Sequence, residues 1–179
     1  MVLFAVIMVF VSSGIAVGQE AAAEKQTADA VSALPEPLRA GATVVLEPEP
    51  GKRTVLREGT NAMICMADTP APGFAVSCHH KDDDANALRF WELVAAGKSA
   101  EEIRDILSAE VKEGKFKVAA GRVTYSLYGP FQSSAIVLMS VAVPNATAES
   151  AGLSTKMDHF RPWLMWAGTP LAHIMLPGQ

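Results

Sequence analysis

The chain opens with an apolar stretch. Residues 1–18 are mostly apolar, and the unbroken run over Met1–Val11 ends at a Ser-Ser-Gly sequence. Ala16 and Gly18 supply the small-x-small pattern of a signal-peptidase site, so we expect cleavage before Gln19. The stretch is interrupted before it reaches the roughly 20 apolar residues that a membrane span needs. The pattern predicts a signal peptide over 1–18, export to the periplasm or the extracellular space, and no stable membrane anchor after cleavage.

An Ala-rich segment follows the predicted cleavage point. Residues 19–33 are polar apart from their alanines, which favours a helix that is weakly packed or frayed. Pro35 and Pro37 then stop it, because the residue before a proline is disfavoured in a helix. We therefore predict a partly helical N-terminal segment over 19–40.

Short β-branched and apolar runs separated by turn residues come next. They predict strands over 42–47, 53–57, 62–66 and 74–78. The first two flank a Pro-Glu-Pro-Gly turn, so they form a hairpin.

Helical periodicity appears in the middle of the chain. A helix over 85–96 follows three aspartates at 82–84, whose carboxylates are expected to cap it. Ser99 and Glu102 form a capping box for a second helix, whose apolar face continues to Val111. Because the linker between the two helices is so short, we predict a helical hairpin.

Strands return at 122–128 and 135–143, and 144–156 is predicted as a loop. Residues 162–167 and 172–176 predict a last hairpin that places Trp166 opposite His173 and Leu164 opposite Met175. Strands on both sides of a helical pair indicate an α+β fold. We predict an antiparallel β-sheet built from hairpins, with an inserted helical hairpin at about 85–113, in a single domain over 41–179.

Composition narrows the range of functions. The chain has 179 residues, 50% of them hydrophobic and 19% charged, which is typical of one globular domain. Its formal net charge is −4 and it has no basic run. We therefore expect no nucleic-acid partner.

Cys65 and Cys78 are the two cysteines of the chain. In an exported protein an even pair indicates a disulfide, which would stabilise by roughly 3 kcal/mol for a loop of this size. A reactive thiol or a metal pair is the alternative, but the CxxC spacing typical of a metal site is missing.

Two groups of side chains have metal-binding chemistry. His79 and Asp82 lie in a dense His-His-Lys-Asp-Asp-Asp cluster, which is alternatively a solvated loop whose aspartates cap the next helix. In the last hairpin, His173 and Met175 share one strand face, and soft thioether donors there would select Cu(I). Met and Trp residues also fill protein cores, so this region is alternatively part of the core.

The C-terminal segment is where we expect a ligand pocket, if the protein has one. Its candidate residues are His159, Met165, Trp166, His173 and Met175.

Arg57 and Glu58 are further candidate residues for a ligand site, where they could bind a carboxylate or act in acid–base chemistry. They begin an Arg-Glu-Gly-Thr-Asn sequence that is also typical of a tight connection, in which Gly59 and Asn61 are able to adopt positive φ.

Local catalytic signatures are missing from the sequence: there is no GxSxG, HExxH, Gly-rich phosphate loop or GxGxxG. We therefore expect a binding or interaction domain rather than an enzyme, with no cofactor and with a small molecule or an envelope protein as partner. The alternatives are a copper- or zinc-binding protein and a cell-envelope hydrolase.

Several motifs resemble an uncharacterised family of small exported bacterial proteins. They are GATVV (41–45), TVLREGTN (54–61), Cys65, FAV.C (74–78), YGP (128–130) and AGT..AH.M.PG (167–178). The resemblance covers most of the mature chain and implies a single exported domain with a cysteine pair. It implies no activity and no ligand, and the chain departs from the family pattern at 79–84.

Overall fold

The computed structural model describes the backbone of residues 14–178 and the side chains of residues 21–178. Most of the predicted signal peptide therefore lies outside the described residues, and the predicted cleavage point falls within the first helix. The helices are α1 (Gly14–Val31), α2 (Glu36–Arg39), α3 (Asp84–Ala95), α4 (Ala100–Lys112) and α5 (Ala148–Ala151). None of the helices within residues 14–178 is long and apolar enough to cross a bilayer.

Eight strands form one open sheet. They are β1 (Thr43–Leu46), β2 (Thr54–Arg57), β3 (Met63–Met66), β4 (Phe74–His80), β5 (Val123–Gly129), β6 (Ile136–Ala142), β7 (Trp163–Met165) and β8 (His173–Pro177). Their order is β2-β1-β3-β4-β5-β6-β8-β7. Every neighbouring pair is antiparallel except β1 and β3, which are parallel because β2 returns along the outer edge of β1. The predicted α+β class is confirmed.

One face of the sheet packs against α1. The end of this helix and the residues after it are buried on β1, β3 and β4, with Ala30 fully buried and Leu34 1% exposed. The prediction of a weakly packed or frayed segment is thus wrong for its C-terminal half. Small alanine side chains let the helix lie close to the sheet, and that contact could not be read from an Ala-rich composition.

The other face carries the predicted helical hairpin. Leu93 of α3 packs with Ile103 and Leu107 of α4 and with Leu171, which precedes β8. The capping box at Ser99 and Glu102 is confirmed.

The aspartates before α3 behave differently from the prediction. Residues 81–83 form a single 3-10 turn, and Asp83 at the N-cap makes no side-chain hydrogen bond to the helix. The Asp84 carboxylate is instead bound by two other side chains, described below. The predicted loop over 144–156 also contains α5, which is capped by Thr147 and Ser150.

The last hairpin forms between β7 and β8, but its predicted register is wrong by one residue. Met165 is paired with His173, and Trp163 with Met175. The reason lies in the turn: Trp166 has a φ of 55° and belongs to the connection, so the strand ends at Met165 rather than at the predicted residue 167.

The predicted disulfide is confirmed between Cys65 and Cys78. The two residues lie directly opposite each other on β3 and β4, and both are fully buried beneath α1.

Replacing both cysteines with alanine is expected to lower the free energy of unfolding by about 3 kcal/mol, because the bridge restricts the unfolded chain. Urea unfolding followed by circular dichroism measures this, with Ser77→Ala as a neighbouring control that leaves the bridge intact. An unchanged midpoint in the double variant would contradict a stabilising role for the bridge.

Gly59 is required by a close approach rather than by a positive φ. A Cβ at this position would lie 2.2 Å from the backbone nitrogen of Thr43. Neither Gly59 nor Asn61 uses its ability to adopt positive φ, since neither is among the residues with positive φ.

Gly59→Ala is therefore expected to destabilise the fold by about 1–3 kcal/mol, since the backbone must shift to accept the methyl group. The neighbouring Glu58→Ala, at an exposed position, is expected to change stability by less than about 0.5 kcal/mol. Thermal unfolding of the two variants makes the comparison, and equal melting temperatures would refute it.

Candidate functional site

A cavity of about 590 Å³ lies between the central strands of the sheet and the α3–α4 hairpin. Its floor carries hydroxyl groups from three adjacent strands. Ser77 of β4 is paired with Ser126 of β5, and Thr124 of β5 is paired with Ser140 of β6. Residues paired across strands project to the same face, so these side chains form one polar patch.

The cavity wall is mainly apolar and partly aromatic. The apolar residues that line it from the helical hairpin and the C-terminal hairpin are Phe90, Trp91, Val94, Ile103, Leu107, Val118, Met165, Trp166 and Leu171. Trp91 and Val94 remain 41% and 40% exposed, so they also form part of the cavity rim.

One polar atom in the wall has no hydrogen-bond partner. Asn86 lines the cavity, and its Oδ1 atom is buried without a partner among the described residues. A buried acceptor without a hydrogen bond is costly, and a donor on a bound molecule or a water would relieve that cost.

Charged groups also line the cavity. Arg122 donates a hydrogen bond of 2.7 Å to Asp82 and lies 3.8 Å from a carboxylate oxygen of Asp83. Lys98 is paired with Glu102 at 2.9 Å. These cations are therefore balanced by neighbouring carboxylates.

His79 is buried in the cavity wall and held by Asp84. Its Nε2 atom lies 2.9 Å from the Asp84 carboxylate, which also accepts two hydrogen bonds from Arg53, at 2.6 and 3.1 Å. Arg53 in turn donates to Glu47 at 2.8 Å. This network fixes the position of the His79 ring.

The network also keeps the Asp84 carboxylate ionised. Burial raises the pKa of this group, but the hydrogen bonds and charges of His79 and Arg53 together lower it by more, so that the pKa is about 2.

The predicted metal pair of His79 and Asp82 is not brought together. The carboxylate that contacts His79 is that of Asp84, whereas Asp82 pairs with Arg122 and lies 3.4 Å from His80. Among the side chains of residues 21–178, no three His, Cys, Asp or Glu are arranged to hold a metal ion.

His173 lines the same cavity from β8, beside Ala142 of β6. Its Nδ1 atom lies 2.8 Å from the carbonyl oxygen of Leu171, and its ring meets Trp166 edge-on with 5.2 Å between ring centroids. Burial lowers the pKa of His173, while the hydrogen bond to Leu171 raises it by a smaller amount. The ring is therefore neutral at pH 7, with Nδ1 donating to the carbonyl.

Trp166 adopts a backbone conformation that is uncommon for a large side chain. Its φ of 55° lies in the left-handed region, and the turn is closed by a hydrogen bond from the hydroxyl of Thr169 to the Trp166 carbonyl oxygen. Strain of this kind is concentrated at binding and catalytic sites. Here it sets the Trp166 ring against His173.

The other predicted site residues lie elsewhere. His159 is exposed in the loop before β7 and does not line the cavity. The Arg57 guanidinium donates to the carbonyl oxygens of Arg39 and Ala42, which favours the tight-connection interpretation. Glu58 beside it is exposed.

The structure thus brings together Met165, Trp166 and His173, but it adds residues that the sequence did not indicate. The hydroxyl floor and Asn86 were missed because isolated Ser, Thr and Asn residues are common on any strand or helix. The one available signal was along β5, where Thr124 and Ser126 alternate with larger, mainly apolar residues. Comparison with other proteins adds nothing here, since no protein-family model, curated protein or solved structure matches the chain. The resemblance stated from the motifs stays a prediction.

Asp84→Asn is expected to lower the free energy of unfolding at pH 7 by about 2 kcal/mol. Because the folded-state pKa is lower than the unfolded one, this contribution is complete above about pH 5 and is lost as the pH falls toward about 2. Urea unfolding of variant and wild type at several pH values measures it. A difference in the free energy of unfolding between wild type and variant that stays constant down to about pH 2.5 would contradict this account. Glu149→Gln, which replaces an exposed carboxylate on α5, is the control.

Proposed function

We propose that this protein is an exported, non-catalytic binding domain that takes a small, largely apolar molecule into the cavity between the sheet and the helical hairpin. The cavity itself carries the proposal. Its volume of about 590 Å³ lies within the range of roughly 300–1,000 Å³ that is typical of small-molecule sites. Such sites combine apolar and aromatic walls with a few polar groups that orient the ligand.

The polar groups of the cavity indicate what the ligand carries. Asn86 offers an acceptor that lacks a partner, and the neutral His173 ring keeps its Nε2 atom as an acceptor. The floor hydroxyls of Ser77 and Ser126 can donate or accept. A ligand with an apolar body and one or two hydroxyl or amine donors matches this set.

Export is supported by the disulfide. Bridges such as Cys65–Cys78 persist in oxidising compartments and are rare where thiols are kept reduced. The N-terminal apolar pattern over 1–18 adds to this support.

A hydrolase is the weaker candidate. The Arg53–Asp84–His79 network resembles the supporting part of a catalytic site, in which a carboxylate orients an imidazole. A nucleophile must also lie within hydrogen-bond reach of the base. Among the side chains of residues 21–178, no Ser or Thr hydroxyl is hydrogen-bonded to His79 or His173.

The binding proposal is tested with an apolar fluorescent probe, N-phenyl-1-naphthylamine, titrated into the mature protein. Trp91 and Trp166 line the cavity, so saturable binding should quench tryptophan emission as probe emission rises. Ser126→Phe places a ring on the cavity floor and is expected to weaken binding at least about tenfold. Val55→Phe, at an exposed position of the edge strand β2, is the matched control.

Circular dichroism verifies that both variants fold. Equal probe affinity in the Ser126→Phe variant and the wild type, or no saturable binding to the wild type, would overturn the proposal.

A further inference from the structure

Three donor side chains lie in one patch at the β7–β8 end of the sheet. Met165 of β7 is directly opposite His173 of β8, and Met175 follows His173 by two residues on the same strand. Paired residues, and residues two apart on a strand, project to the same face. The imidazole and the two thioethers therefore share the face that carries the cavity.

The spacing allows the three side chains to bind one ion together. Side chains directly opposite on antiparallel strands have Cβ atoms about 4.5–5.5 Å apart, and neighbours two residues apart on one strand lie at about 6–7 Å. Methionine has three rotatable bonds, so Met165 and Met175 can bring their sulfur atoms toward a point beside the His173 ring.

The His173 ring is oriented as a metal ligand would be. Its Nδ1 atom lies 2.8 Å from the Leu171 carbonyl oxygen, which makes Nδ1 the protonated nitrogen and leaves the lone pair on Nε2. Metal-binding histidines almost always donate their second ring N–H to a carbonyl or a carboxylate in this way.

The donor set selects the ion. The three donors are uncharged and two of them are soft thioether sulfurs, which suits Cu(I) and disfavours the hard cations Mg²⁺ and Ca²⁺; with a single imidazole and no thiolate or carboxylate, the set also fits Zn²⁺ poorly. The surroundings are also apolar: Trp163, paired with Met175, is 8% exposed, and the Trp166 ring lies edge-on to His173. Both features favour the lower charge of the cuprous ion.

We propose that His173, Met165 and Met175 form a Cu(I)-binding site at the β7–β8 end of the sheet. The site goes beyond the proposed function: it shares Met165 and His173 with the cavity wall, whereas Met175, the floor hydroxyls and Asn86 belong to one site only.

The test is an anaerobic titration of the mature protein with Cu(I) in competition with bicinchoninate, followed by native mass spectrometry. We expect one copper ion per chain. Met165→Leu and Met175→Leu keep the side-chain volume, and each is expected to weaken Cu(I) binding by about tenfold or more, with the double variant losing measurable binding. Met157→Leu, in an exposed part of the chain, is the matched control and should bind as the wild type does.

X-ray absorption of the copper-loaded protein provides a second measurement, in which nitrogen and sulfur scatterers are expected together in the wild type. Failure of the wild type to compete for Cu(I), or Met-to-Leu variants that bind it as tightly as the wild type, would overturn the proposal. Because Met175 is not among the residues that line the cavity, Met175→Leu should still bind the naphthylamine probe as the wild type does. Loss of copper binding is thereby distinguished from loss of the small-molecule site.

Discussion

The alternation of side chains along β4 governs both halves of the molecule. On one face Phe74, Val76 and Cys78 are buried against α1, and Cys78 is bridged to β3. On the other face Ser77 and His79 line the cavity. Because the side-chain period of a strand is two, a shift of one residue would exchange these faces. The disulfide joins directly opposed residues and so holds the register on which both faces depend.

The cavity exists because the second face is built from small polar side chains. Ser77, Thr124, Ser126 and Ser140 occupy positions that large apolar residues would fill in a tightly packed core. The α3–α4 hairpin packs through Leu93, Ile103 and Leu107 against Leu171 in the β7–β8 connection, rather than over the hydroxyl patch. The result is a cavity that is partly open to solvent instead of a continuous core, and this cavity carries the binding proposal.

An ionic network attaches the start of α3 to the outer strands. Arg53 precedes β2 at one edge of the sheet, and its contact with Asp84 reaches across to the helix that covers the cavity. Removing one partner of such a network leaves an unpaired charge in a partly buried place, so the arrangement is sensitive to single substitutions.

The sequence by itself determined the local structure of this protein. Apolar periodicity, the capping box at Ser99 and the β-branched runs indicated the helical hairpin and most of the strands, because these depend on neighbours in the chain, and the order of these elements indicated the α+β class. The disulfide followed from the presence of two cysteines in a chain expected to be exported. Only the tertiary structure decided the packing of α1, the parallel β1–β3 pair, the register opposite His173 and the cavity. Each of these depends on which distant residues meet. A positive φ at Trp166, or a partner for His79 five residues along the chain, leaves no periodic signal in the sequence.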